Sequence, residues 1–230
     1  MKALKGKKIL LPDSIWRMTS LRHVHVKNNA SFTLQPKVTG IGFQLKNLVS
    51  LSVPSLIFGE DADEMIRMLP NLRELSCIFS KSRGSRDYYQ FPRLEKLTQL
   101  ESLKIVYRGR TIKTSPLNFP LGLKKLTLIN FFLRWDHIPT IGSLENLEIL
   151  KLLSSTFEDT RWEMKEGEFH KLKYLKLDSP NIVSWVASCD DLPNLQHLVL
   201  QKCENLKEVP IDFVRIPTLQ LIEVQRCGDS

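Results

Sequence analysis

Paired cysteines, long apolar runs and a phosphate-binding glycine loop are all missing from this sequence of 230 residues. The four cysteines, Cys77, Cys189, Cys203 and Cys227, show no C-x-x-C and no paired spacing, which argues against the disulfide framework of a small secreted protein. The basic amino terminus lacks the apolar run of a signal peptide, and no segment approaches the roughly 20 apolar residues of a membrane helix. We therefore expect a cytoplasmic protein with no membrane-spanning segment.

The sequence also has fewer acidic than basic residues. Lys and Arg number 33 against 25 Asp and Glu, which gives a formal net charge of +8. This excess favours acidic partners or acidic faces of neighbouring domains. A nucleic-acid partner is not predicted, because no recognised nucleic-acid-binding motif accompanies the charge.

Catalytic and metal-binding patterns are missing as well. His137, His170 and His197 have no recognisable nucleophile partner, and the acidic residues form no metal-loop pattern. His23 and His25 lie on one side of one predicted strand and could hold a metal, but no third ligand is visible, and two exposed histidines are the commoner alternative. We therefore expect no enzyme, no catalytic residue, and no cofactor or metal in this chain.

What the sequence does contain is a repeat of the form apolar-x-x-apolar-x-apolar. Nine units begin near residues 21, 48, 72, 100, 123, 147, 172, 195 and 219. The last four positions of each unit alternate with period two, which predicts a short strand with one apolar face. A single unit cannot cover that face, so neighbouring strands should stack in parallel around one continuous core.

The repeat predicts an α/β solenoid, a leucine-rich-repeat horseshoe with a parallel strand ladder on its concave face. Short helices or irregular turns should form the convex face. Residues 61–69 have an acidic start and helical apolar spacing, which predicts a helix, whereas residues 138–144 are short and interrupted by proline and glycine, which predicts no more than a turn. Residues 1–230 form one predicted domain, with the tail of an earlier repeat at 1–17. Its ends carry no polar caps, so we expect a fragment of a larger protein.

Two phrases are more specific than the generic repeat. One is Leu-Pro-x-x-Ile-Trp-x-Met at residues 11–18, and the other is Leu-Pro-Asn-Leu-Gln-His-Leu-Val-Leu-Gln-Lys-Cys at residues 192–203, followed by Glu-Asn-Leu-Lys-Glu-Val-Pro. With the repeat, they resemble the leucine-rich region of plant intracellular immune receptors. The closest resemblance is to the coiled-coil, nucleotide-binding leucine-rich-repeat (NLR) class, including the late-blight-resistance-like proteins of the nightshade family.

The resemblance implies a function in plant defence. A receptor of this class recognises a pathogen effector or a guarded host protein, restrains its nucleotide-binding domain until then, and triggers defence and hypersensitive cell death. No G-x-x-x-x-G-K-[ST] phosphate loop is present here, so ATP or ADP is expected only in an upstream nucleotide-binding domain of a larger receptor.

Two other classes of repeat protein remain as alternatives. The substrate-recognition domain of an F-box ubiquitin-ligase adaptor has more uniform repeats of about 26 residues with a cysteine in nearly every unit. Only the last two units here carry that cysteine. An extracellular receptor would show G-x-I-P turns, which this chain lacks, and many glycosylation sites, of which it has one, at Asn29. A phosphate loop, an F-box or a signal peptide upstream would separate the three classes.

The residue after each core triplet is apolar in four consecutive units, and lysines lie beside it. An apolar row bordered by lysines, with an aromatic residue nearby, is typical of a protein-binding patch. The alternative is that a following loop covers the row, which then merely extends the core. The predicted partner-binding residues, called the lysine-edged strip below, are Ile78, Lys104, Val106, Lys125, Ile129, Lys151, Leu153, Tyr174 and Lys176.

A second candidate surface lies on the loops that leave units three and four. Neighbouring repeats project their loops from the same edge, so these charges should cluster and contact an acidic surface, such as the receptor's own nucleotide-binding domain. A solvated loop is the alternative. The residues of this basic loop edge are Lys81, Arg83, Arg86, Arg108, Arg110 and Lys113.

Cys203 and Cys227 occupy the same place in consecutive units, where generic repeats carry an asparagine that hydrogen-bonds the turn. We expect small buried side chains that pack the turn, in preference to a metal or redox role.

Overall fold

Each apolar-x-x-apolar-x-apolar unit contributes one strand to a single parallel sheet in the computed structural model. The structure describes residues 13–26, 44–57, 66–80, 91–108, 116–134 and 136–228. The strands of this part of the chain are β1 (His23–His25), β2 (Ser50–Ile57), β3 (Glu74–Ser80), β4 (Ser102–Arg108), β5 (Lys125–Ile129), β6 (Phe132–Leu133), β7 (Ile149–Leu153), β8 (Thr156–Phe157), β9 (Arg161–Glu163), β10 (Tyr174–Asp178), β11 (Ser184–Val186), β12 (His197–Gln201) and β13 (Leu221–Gln225).

Nine of these strands form the main sheet, in the order β1-β2-β3-β4-β5-β7-β10-β12-β13. Every pairing in it is parallel. One strand per repeat, stacked in sequence order, confirms the predicted leucine-rich-repeat solenoid with its strand ladder on the concave face.

The core runs along the sheet as rows of stacked leucines. Leu126 pairs with Leu150, Leu150 with Leu175, and Leu175 with Leu198. All four are at most 1% exposed. Because full burial of one such side chain contributes about 1.5–3 kcal/mol, each row stabilises the contact between neighbouring repeats.

The ninth unit forms its strand but not its predicted core face. Ile222 and Val224 of β13 are 48% and 56% exposed, whereas their partners Leu198 and Leu200 in β12 are buried. The prediction that both residues are buried is wrong, because β13 is the last strand of the sheet and is paired on one side only.

The segments that return from one strand to the next are mostly irregular, as predicted. In the described part of the chain, 3-10 helices cover Asp13–Arg17, Leu94–Lys96 and Ile211–Arg215, and an α-helix, named α1, covers His137–Gly142. The prediction of no more than a turn at residues 138–144 is therefore wrong. Pro139 lies in the first turn of α1, where its missing N–H would have no partner within the helix, so it does not interrupt the helix.

The helix predicted over residues 61–69 is only partly described. Residues 66 and 67 are helical, while residues 61–65 lie outside the described part of the chain.

Two short parallel sheets lie outside the main sheet, one formed by β6 and β8 and the other by β9 and β11. The second sheet carries an aromatic stack that we did not predict. Trp162 and Trp185 are buried with parallel rings 5.0 Å apart, and Phe213 meets Trp185 edge-on at 5.1 Å. Aromatic packing therefore fills the outer layer of these repeats, where the leucine pattern is absent.

A residue with a left-handed backbone conformation follows each of the last five strands of the main sheet. Its φ angle lies between 49° and 61°, a region that non-glycine residues seldom adopt. Ser154, for example, donates its N–H to the Asp178 carbonyl at 2.7 Å, in the next repeat. The five residues are Asn130, Ser154, Ser179, Lys202 and Arg226.

Asparagines just before the first leucine of a unit form a second link between repeats. Asn47 Nδ2 donates to the Thr19 carbonyl at 2.7 Å, and Asn194 Nδ2 donates to the His170 carbonyl at 2.6 Å. Each amide satisfies a carbonyl of the preceding repeat.

Candidate protein-binding face

The four apolar residues of the lysine-edged strip lie side by side on the main sheet. Ile78 pairs with Val106, Val106 with Ile129, and Ile129 with Leu153. All four are half-buried, whereas Leu128, which precedes Ile129, is fully buried. The row is therefore continuous and still partly accessible to solvent.

Lysines occupy the two columns beside this apolar row. Lys104 and Lys125 are exposed, and Lys151 and Lys176 are half-buried. Strand residues two apart lie on the same face about 6.6 Å from each other, so Lys104 is one such step from Val106. The nearer column reads Ser76, Lys104, Thr127, Lys151, Lys176, Val199 and Glu223. The farther column includes Lys125, Ile149, Tyr174 and His197.

Tyr174 joins the strip through a cation–π contact. Lys151 Nζ lies 5.1 Å from the centre of the Tyr174 ring, and the His197 ring meets Tyr174 edge-on at 6.2 Å. Burial, with a smaller contribution from Glu223, raises the pKa of the Tyr174 phenol. The hydroxyl therefore stays protonated near neutral pH and can donate a hydrogen bond to a partner.

The charges just before the strands are arranged differently. Arg73, Glu101, Lys124, Glu148 and Lys173 alternate in sign along the stack. Glu101 pairs with Arg73 at 3.7 Å and with Lys124 at 3.1 Å, and Glu148 pairs with Lys173 at 3.2 Å. This column, called the paired column below, is largely self-neutralised.

The apolar row ends where the strand register reaches Asp178. Asp178 follows Leu153 in register, and Gln201 follows Asp178. In the lysine column, Val199 is buried and Glu223 hydrogen-bonds Gln225. Among the described residues, the basic and apolar character of the face is therefore confined to units three to seven.

Five of the six residues of the basic loop edge lie outside the described residues, namely Lys81, Arg83, Arg86, Arg110 and Lys113. Only the backbone of Arg108 is described, as the last residue of β4, opposite Ser80.

His23 and His25 lie on the same exposed face of β1, as predicted, with stacked rings 6.4 Å apart. Both approach the buried Ser50 hydroxyl, His23 Nδ1 at 2.8 Å and His25 Nε2 at 3.4 Å. Within the described residues, no group of three or more His, Cys, Asp or Glu side chains is arranged to hold a metal.

Cys203 packs the turn after β12, as predicted. It is fully buried, its thiol lies 3.6 Å from the Gln201 carbonyl, and its N–H donates to the Cys227 sulfur at 3.3 Å. Burial, with a smaller contribution from the neighbouring Cys227 thiol, raises the pKa of Cys203 to about 12. Both cysteines are free, and Cys227 is half-buried.

A cleft of about 360 Å³ between α1 and β9 is a feature that sequence reasoning missed. Glu168 lies in its wall with only 6% exposure and accepts a hydrogen bond from the Lys165 N–H at 3.2 Å. Burial raises the pKa of Glu168. The same hydrogen bond recurs in the next repeat, from the Ser188 N–H to Asp191, so both carboxylates secure a turn.

No protein-family model matches the chain, but curated relatives align with nearly all of it. One putative late blight resistance protein homolog of Solanum demissum is 37% identical over 227 residues, which cover 97% of this chain and 17% of that protein. Homolog R1B-16 of the same species is 36% identical over 232 residues, covering 96% and 17%. The chain is homologous to the late blight resistance proteins.

Late blight resistance protein R1-A of Solanum demissum is a further relative, 36% identical over 228 residues, and the match covers 96% of this chain. The chain spans 17% of the length of each of these three late blight resistance proteins. The homology confirms the resemblance to the late-blight-resistance-like proteins. Within the described residues, no helix has both the length and the apolar character needed to cross a membrane.

Proposed function

We propose that this chain is the protein-recognition module of an intracellular plant immune receptor of the NLR class, and that the lysine-edged strip is its partner-binding face. The observation that carries the proposal is the strand register, which brings Ile78, Val106, Ile129 and Leu153 into one half-buried row. A partner that covers this row gains about 25 cal/mol for each Å² of apolar surface removed from water.

The partner in this proposal is a protein, either a pathogen effector or a guarded host protein. Its binding releases the receptor's own nucleotide-binding domain from restraint, and the response is defence and hypersensitive cell death. The names of the relatives, which are late blight resistance proteins, support this role. The chain itself works in the cytoplasm, catalyses no reaction and binds no nucleotide, because ATP or ADP belongs to a separate upstream domain.

Partner capture by the full receptor tests the proposal. The double substitution Ile129→Glu, Leu153→Glu places two carboxylates in the apolar row, where a bound partner loses apolar contact and has to remove both charges from water. We expect co-precipitation of the partner to fall at least about tenfold and cell death to be lost, because removing charged groups from water costs several kcal/mol.

A matched control adds the same charge elsewhere. Thr156 and Ser184 are exposed residues of the outer strands β8 and β11, so Thr156→Glu, Ser184→Glu should leave capture unchanged. A folded Ile129→Glu, Leu153→Glu receptor that captures its partner at full strength would show that the partner binds elsewhere.

The basic loop edge gives the proposed restraint its own test. Reversing Arg83, Arg86 and Arg108 in the full receptor should weaken contact with an acidic nucleotide-binding domain and cause cell death without an effector. An unchanged level of autoactivity would contradict a role of these residues in restraint.

A further inference from the structure

The lysines of the strip have no anionic partner among the described residues, unlike those of the paired column one residue away. Lys124 lies 3.1 Å from Glu101 and Lys173 lies 3.2 Å from Glu148. No ion pair joins Lys104, Lys125, Lys151 or Lys176 to another described residue, and the contact of Lys151 with the Tyr174 ring supplies no negative charge. Within the described part of the chain, these four lysines are therefore free of ion pairs and available to an acidic partner.

Two of these lysines are also direct neighbours on adjacent strands. Lys151 and Lys176 are register partners on strands whose backbones lie about 4.8 Å apart, and both side chains are half-buried. Like charges directly opposite each other destabilise a sheet. Carboxylates placed over this pair would relieve the repulsion and gain charge-assisted hydrogen bonds.

The spacing of the apolar row indicates the shape of the segment that fits it. Ile78 to Leu153 are four apolar residues at strand intervals of about 4.8 Å. An α-helix lying along the stack presents one side-chain ridge per turn of about 5.4 Å, so over three turns it departs from the strand spacing by less than about 2 Å. An extended segment repeats its facing side chains only every 6.6 Å or so and falls out of step after two strands.

The described lysine columns lie on the side of the apolar row nearer the strand starts. Within the strands, Lys104 precedes Val106 and Lys125 precedes Ile129. A helix seated on the row therefore meets the positive charge of these lysines along that flank.

From this juxtaposition we propose that the occupant of the lysine-edged strip is an amphipathic α-helix of the partner protein, with one apolar residue per turn over the Ile78–Leu153 row and Asp or Glu along the flank facing the lysines. The inference rests on the proposed function, because it specifies which kind of segment that same face binds. The helix spans about three turns, which matches the four strands it crosses.

Synthetic peptides of about 18 residues test the shape and the charge separately. The first has leucine at helical spacing and glutamate along one flank, the second has two central prolines that break the helix, and the third has lysine in place of glutamate. Fluorescence anisotropy with the full chain should show binding of the first peptide, with the other two at least about tenfold weaker.

A charge swap tests the assignment to these lysines. The variant Lys151→Gln, Lys176→Gln should bind the acidic peptide about tenfold more weakly. Its control, Lys124→Gln, Lys173→Gln, removes the same net charge from the paired column and should bind within about twofold of wild type, since those lysines are already neutralised. The variant Lys104→Glu, Lys151→Glu, Lys176→Glu should instead prefer the lysine peptide, and circular dichroism checks that each variant is folded.

Four results would overturn the inference. The first three are equal binding of the proline peptide, equal binding of the lysine peptide by wild type, and equal weakening by the two glutamine variants. Absence of binding by the acidic peptide also overturns it, while the proposed function survives if Ile129→Glu, Leu153→Glu still abolishes capture of the full partner protein. If that variant keeps its partner, the proposed function fails as well.

Discussion

At the scale of single residues, one step along a strand decides between core and surface. In β5, Leu126 and Leu128 are completely buried, while Thr127 and Ile129 are half-buried and Lys125 is exposed. Side chains alternate between the two faces of a strand, so a register slip of one residue would expose both leucines and bury the lysine. The positions of the core leucines therefore fix which residues a partner can reach.

Cys203 gives a prediction that reports on its burial. Because the thiol has a pKa of about 12, only about one molecule in ten thousand carries the reactive thiolate at pH 8. Iodoacetamide at pH 8 should therefore label the half-buried Cys189 long before Cys203, as followed by mass spectrometry of the native chain. Labelling in guanidinium chloride, where all four cysteines should react, is the control, and equal rates in the native chain would contradict the buried position.

Glu168 gives a prediction about pH. Burial raises its pKa above the ordinary value of 4.5, so the folded chain binds this proton more tightly than the unfolded chain does. The contribution of Glu168 to stability is therefore greatest below pH 4.5 and is lost as the pH rises through the folded-state pKa. We expect the unfolding free energy of Glu168→Gln, relative to that of wild type, to increase as the pH rises from about 4 to about 7. Urea unfolding at several pH values measures this difference.

The control for that measurement is Glu166→Gln, which alters an exposed carboxylate two residues away. A constant difference in unfolding free energy between Glu168→Gln and wild type at every pH would show that burial does not shift Glu168.

At the scale of elements, the turns after the strands are as regular as the strands. Ser154 and Ser179 adopt φ angles of 49° and 54°, and each donates its N–H to the last residue of the next strand. The left-handed conformation costs an L-residue about 1–2 kcal/mol, so this repeated hydrogen bond has to offset it in each turn. The turns thereby link neighbouring repeats beside the sheet.

Substitutions at Ser154 test that link. Ser154→Val should lower the free energy of unfolding by about 1–2 kcal/mol, because a β-branched side chain resists positive φ. Ser154→Gly should be neutral or stabilising by up to about 1 kcal/mol. Denaturant unfolding gives both values. Ser184→Val, at an exposed position of β11, is the control and should change stability little, whereas equal effects at the two serines would contradict a strained turn.

The leucine spacing was sufficient to predict the main sheet, because period-two burial and a repeat of 23 to 28 residues allow few other folds. It could not predict α1, because a proline such as Pro139 is expected to interrupt a helix unless it lies in the first turn, and the sequence alone does not show where the helix begins. The stacking of Trp162 on Trp185 could not be predicted either, because it depends on two outer strands that are only three residues long each.

At the scale of the whole molecule, each repeat contacts mainly its neighbours, so side chains from distant parts of the sequence form one continuous face. Ile78 and Leu153 are 75 positions apart in sequence but belong to one row of the sheet. The columns of the candidate site were predictable from this regularity. The pairing of Lys124 with Glu101, and the absence of such a partner for Lys151 among the described residues, depend on side-chain contacts that spacing alone cannot give.

Site-specific photo-crosslinking tests the central claim, that the partner sits on this face, most directly. A benzophenone amino acid in place of Thr127, between Lys104 and Lys151 in the register, should crosslink the partner in the full receptor. The same amino acid in place of the exposed Thr156 of β8 should crosslink little. Strong crosslinking from the Thr156 position with none from the Thr127 position would contradict the claim.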